Sequence, residues 1–147
     1  MNENTMTIFE QDESGRMLQA LRSPETIAYC SFVANTPDEK IKLYNAMTNP
    51  EKRVSEMVNK KIPLKDVYVE IVQMTNKETG EVQPAPRVVL IDEKGTTYSC
   101  MSMGIFNSLK SLFNVFGTPD TWESPVIAEV ISIDRGERRV LSLRACV

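Results

Sequence analysis

Histidine is absent from all 147 residues, which removes the commonest general base and the acyl-transfer triad built on it. The three cysteines, Cys30, Cys100 and Cys146, are an odd number with no two close in sequence. They make neither a zinc pattern nor a disulfide framework, and Cys100 and Cys146 fall in apolar-alternating segments that suit small core residues. The six glycines form no GxGxxG run and no phosphate loop, so a nucleotide cradled on a glycine-rich turn is excluded. No run nears the roughly 18 apolar residues of a membrane span. Met1 to Gln11 lacks the basic start and apolar stretch of a secretory signal. The expectation is an intracellular protein with no membrane partner, no cofactor and no catalytic site. Asp92 and Glu93 are adjacent acids, but their spacing to Asp66 or Glu70 matches no metal-ligand pattern, so no metal is expected.

What is present suits one globular domain: 41% hydrophobic and 25% charged residues in a chain long enough for a single core. The net charge of -3 is unevenly spread. Residues 1–59 carry six basic and nine acidic groups, and residues 60–147 carry eleven of each. The second part is therefore neutral overall, with a local surplus of arginine at Arg135, Arg138, Arg139 and Arg144. Such a surplus permits a polyanionic ligand without requiring one.

Residues 1–25 are polar and read as a mobile arm, followed by a single domain over 26–147. Thr26 to Val33 has strand composition. Thr36, Pro37 and Glu39 supply an N-cap, a first-turn proline and a capping box for a helix to about Met47, with Ile41, Tyr44 and Met47 as its apolar stripe. Asn49 and Pro50 repeat the signal for a second short helix whose apolar face is Val54, Met57 and Val58.

Beyond Pro63 the periodicity becomes that of strands. Leu64 to Thr75 is a long first strand, NKETG a turn, and the second strand begins near Arg87 once Pro84 and Pro86 are passed. DEKG closes a tight hairpin into a third strand, Thr96 to Ser102. Met103 to Phe116 is a helix, with Ile105, Phe106, Leu109, Leu112, Phe113 and Phe116 three and four apart and Gly117 as its C-cap. Val126 to Ile133 and Arg139 to Cys146 complete five strands. Three strands, a helix and two strands is the connectivity of an OB barrel, so the fold expected is mainly β. It is a five-stranded barrel over 64–147 with a helix between strands three and four plugging its bottom, and residues 26–63 add a strand and two short helices.

An OB barrel binds ligands on strands two and three, flanked by the loops joining strands one to two and four to five. That face carries Lys77, Arg87, Lys94, Arg135, Arg138 and Arg139 for phosphates, with Tyr68 and Tyr98 for bases, the combination single-stranded nucleic acid requires. Two plainer readings stay open: the tyrosines as ordinary rim residues, and Arg138 and Arg139 as charges that keep an edge strand soluble.

The stretch DVYVEIVQMTNKETGEVQPAPRVVLIDEKGTTYSCMSMGIFNSLKSLFNVFGTPDTWESPV, with IAYCSFVANTPDEKIKLYNAMTNPEKRVSEMVNKKIPLKDV before it, resembles phage and prophage single-stranded DNA-binding proteins of Gram-positive hosts. The PRVVLID hairpin from Pro86 and the helix from Gly104 to Phe116 with its following glycine carry the likeness most specifically. The resemblance implies a protein that coats exposed single strands during phage DNA replication or recombination in the host cytoplasm. Self-association and contact with phage replication proteins are further expectations. A protein-interaction module that docks a replisome subunit or host factor is the alternative.

Overall fold

The computed structural model describes residues 29–147; the expected arm over 1–25 and the start of the expected first strand lie outside them. The described chain runs β1 (Tyr29–Cys30), α1 (Pro37–Thr48), β2 (Lys52–Arg53), a 3₁₀ turn (Val54–Met57), β3 (Lys61–Thr75), β4 (Val82–Asp92), β5 (Thr97–Cys100), α2 (Met103–Phe116), a second 3₁₀ turn (Pro119–Thr121), β6 (Val126–Arg135) and β7 (Arg138–Cys146).

One mainly antiparallel sheet holds all seven strands, in the order β2-β5-β4-β3-β6-β7, with β1 paired to β3. The long β3 organises it. Its first residues, Lys61 to Leu64, pair with β6, and Leu64 to Thr75 pair with β4. A register shift between Leu64 and Asp66 separates the two ladders, as a bulge does where a strand bends. The sheet curls into a half-barrel and does not close. The closed five-stranded barrel expected from strand order is thus replaced by an open one. The outer edge of β5 is taken by the parallel pair Lys52↔Tyr98 and Arg53↔Ser99, so it is β2 that adjoins β5 where β7 was expected.

The helix α2 packs on β7 and into the main core. Ser102 caps it by accepting from the Ile105 N–H, and Ile105 and Leu109 enter the main core beside Leu64, Val67, Leu90 and Val130. Its first turn lies directly on β7: a Cβ on Gly104 would sit 2.0 Å from the Leu141 carbonyl oxygen. One turn on, the Leu143 N–H donates to Ser108 Oγ at 3.1 Å. Helix backbone and hydroxyl thereby cover an edge that would otherwise present unpaired groups.

A second cluster lies on the other face of the sheet. Tyr68, Val89 and Ile91 are buried there under Ala46 of α1, with Cys30 and Met47 alongside. The capping box at Thr36 and Glu39 forms as expected, but the buried stripe is not the expected one: Ile41 and Tyr44 are 58% and 65% exposed. Residues of α1 that meet β4 are those around Ala46, because a small side chain lets the helix approach the sheet.

Two further expectations fail for local reasons. The helix expected after Pro50 is β2 plus the 3₁₀ turn, and Val54 still reaches the core. The β4 strand starts at Val82 and includes both prolines, Pro84 opposite Gln73 and Pro86 opposite Ile71. Asp92 donates its N–H toward Thr96, on the β5 side, so by alternation the ring nitrogens of Pro84 and Pro86 face that side too. The β5 strand ends opposite Val88, and the prolines forfeit no ladder bond on a free edge.

Candidate nucleic-acid interface

The eight residues expected to contact nucleic acid do not share one surface. Tyr98 is 5% exposed, within the main core, and its hydroxyl donates to Asp92 Oδ2 at 2.9 Å. Asp92 is itself buried and holds the β4–β5 turn by accepting from the N–H groups of Lys94 and Thr96. Tyr68 is 2% exposed beneath α1, its hydroxyl donating to Glu70. Burial, then the neighbouring carboxylate, pushes each phenol up to about 12. Both rings are structural, and the expectation that they present faces to bases is corrected: the tyrosines point into two separate cores on opposite faces of the sheet.

Arg87 pairs with Glu70 at 3.2 Å, both side chains only about a fifth exposed. Recruiting it to a phosphate would strand the Glu70 carboxylate, which makes it a poor free cation. Lys77 stands in the β3–β4 turn. Lys94 lines a cleft against α1 with Phe32, Lys42 and Glu51. These three do not join the remaining arginines.

Arg135, Arg138 and Arg139 do come together, at the β6–β7 turn, where Gly136 takes a φ of 69°. They flank the opening left where β5 and β7 fail to pair. One lobe, about 610 Å³, lies along the seam itself and is lined by Arg53, Ser99, Met101, Ser102, Arg138 and Arg139 among others. A second, about 660 Å³, runs between α2 and β7 past Asn107, Ser111, Arg135 and Arg138 to Phe116. Met103, Gly104, Arg138 and Val140 line both lobes, which adjoin across the contact of α2 with β7 and together make an arginine-bearing groove, each part within the ~300–1,000 Å³ of ligand clefts.

Among the described residues, no acidic side chain lines either lobe. The one ion pair at the rim, Arg139 with Asp134 at 3.3 Å, is more than three-quarters exposed on both sides and costs little to exchange for another anion. The first turn of α2 adds N–H groups that favour negative charge where the lobes meet. Exposed Met101, Met103, Val115 and Phe116 supply apolar surface along the same path. By contrast, the cleft between β3 and the Trp122 segment carries Asp66, Glu93, Asp120 and Glu123 with one lysine.

Arg53, Met101, Met103 and Phe116 were not among the expected contacts. Arg53 enters through β2, a two-residue strand with no periodic signal, and only its pairing with Ser99 sets it beside the seam. Phe116 was read only as one of the apolar residues spaced three and four apart along α2, but at the last turn the helix has passed the core and the residue is 48% exposed.

A family model for Phi29-type phage single-stranded DNA-binding proteins matches residues 22–145. The chain belongs to this family. No curated protein and no solved structure matches it. The match takes in every strand and helix described except the last residue of β7, and all residues that line the groove lie within it.

Proposed function

We propose that the chain binds single-stranded DNA without strong sequence preference, in the groove between β5 and β7, and coats exposed strands during phage DNA replication or recombination in the host cytoplasm. The observation that carries this reading is the groove's charge: four arginines, Arg53, Arg135, Arg138 and Arg139, and no carboxylate among its lining residues. Arginines track phosphates, while serine hydroxyls, Asn107 and the exposed apolar side chains meet bases of any identity. Residues 26–147 act as one OB-like domain in this reading. The order β5-β4-β3-β6-β7, with α2 joining β5 to β6 along the chain, supports it. Ligand passes through the seam that a closed barrel would seal.

Fluorescence anisotropy with a labelled oligo-dT tests the proposal. Binding is expected at low salt, with weaker binding to a duplex of the same sequence and progressive loss as salt rises, because phosphate contacts release counterions. Failure to bind any single strand at low salt refutes it. Light scattering of the same mixtures reports whether copies associate along the strand and join phage replication proteins added in turn.

A further inference from the structure

We infer that Phe116 is the residue on which a nucleobase stacks. This deepens, and rests on, the reading that the groove holds a single strand. Stacking needs a ring whose face is free, and other described aromatic side chains are committed elsewhere. Phe113 is packed between Tyr29 and Trp122, with ring centroids 5.7 and 6.2 Å away. Phe106 lies against the core and carries the Lys110 ammonium 5.5 Å from its centroid. Tyr68 and Tyr98 are buried, and Phe32 lines the separate cleft beside Glu51. Tyr44 is exposed, but it sits on α1 and lines neither lobe of the arginine groove.

Among the described aromatic residues, Phe116 alone combines exposure, 48% for the residue, with a place in that groove. It stands at the end of α2, where Gly117 turns the chain away at a φ of 83°, so the ring is not overlaid by a following helical turn. Arg135 and Arg138 line the same lobe and supply the cations that hold a phosphodiester beside it. An exposed phenyl ring has an unfavourable contact with water that a base would relieve, and every base has a face to offer it. The inference therefore adds base contact without sequence readout.

The test compares full-length wild type with Phe116→Ala, Phe116→Leu, Phe116→Tyr and Phe116→Trp on two lattices of equal length, oligo-dT and an abasic oligonucleotide. On oligo-dT, the alanine and leucine variants are expected to bind roughly 5- to 150-fold more weakly, while tyrosine and tryptophan retain affinity. On the abasic lattice all five are expected to bind alike, and the salt slope should be unchanged throughout because no phosphate contact is lost. Equal binding of wild type and Phe116→Ala to oligo-dT overturns the proposal and leaves the groove standing. Equal losses on both lattices also overturn it, marking the ring as packing alone. A wild-type protein that binds neither lattice overturns ring and groove together.

Discussion

Gly104 is the residue on which the groove's geometry turns. Its missing Cβ lets α2 lie on the Leu141 carbonyl, and the added methyl of Gly104→Ala would meet that oxygen at 2.0 Å and a Val140 methyl at 2.5 Å. Backbone is not free to yield, so chemical denaturation should show a loss of about 1–3 kcal/mol. The two buried tyrosines make a separate prediction. Each phenol ionises near 12 in the folded chain and near 10 when unfolded, so above pH 10 the unfolded state has released protons that the native state still holds. Stability is therefore fully present below pH 10 and falls as pH rises toward 12. A Tm series across this range should be steeper for wild type than for a Tyr68→Phe, Tyr98→Phe double variant.

Among the elements, α1 is a local device held by its cap. Thr36→Ala removes the hydroxyl that accepts from Glu39 N–H and should cost about 1 kcal/mol, with hydrogen exchange rising first over residues 37–48 and Tyr68 losing its cover. The α2 helix is different because it belongs to the main core: Leu109→Ala should cost about 2–5 kcal/mol and cooperatively weaken the whole sheet. The two helices were also legible to different degrees. The apolar spacing and Gly117 are local signals, and α2 has the expected bounds, although Ser102, read as the end of a strand, is its N-cap; the capping box likewise marks the start of α1. Which stripe α1 buries depends on the shape of the sheet beneath it, and that is not a local property. The β2 strand was illegible for the same reason, since two residues acquire strand geometry only from β5. Pro84 and Pro86 were read as barriers, but a free edge tolerates them.

For the molecule as a whole, strand order from β3 to β7 was readable because turn residues and alternation are written locally, whereas barrel closure was not, because it depends on which edges meet. That difference relocates the proposed interface. The expected face over β4 and β5 is covered on one side by α1 and has its arginine paired, while the failure of β5 and β7 to meet opens an arginine-lined groove on the other. The net charge of -3 is no obstacle, since what a strand meets is the local lining, and the groove's lining carries arginines where the Trp122 cleft carries Asp66, Glu93, Asp120 and Glu123. The decisive measurement is the salt dependence of oligo-dT affinity for wild type, Arg53→Gln, Arg138→Gln and their double variant, beside Lys77→Gln and Lys94→Gln. Each groove arginine that meets a phosphate should lower the log–log slope by about 0.7 when removed, with the lysine variants keeping the wild-type slope. Groove variants indistinguishable from wild type, with slopes reduced by the lysine changes, would contradict an interface between β5 and β7.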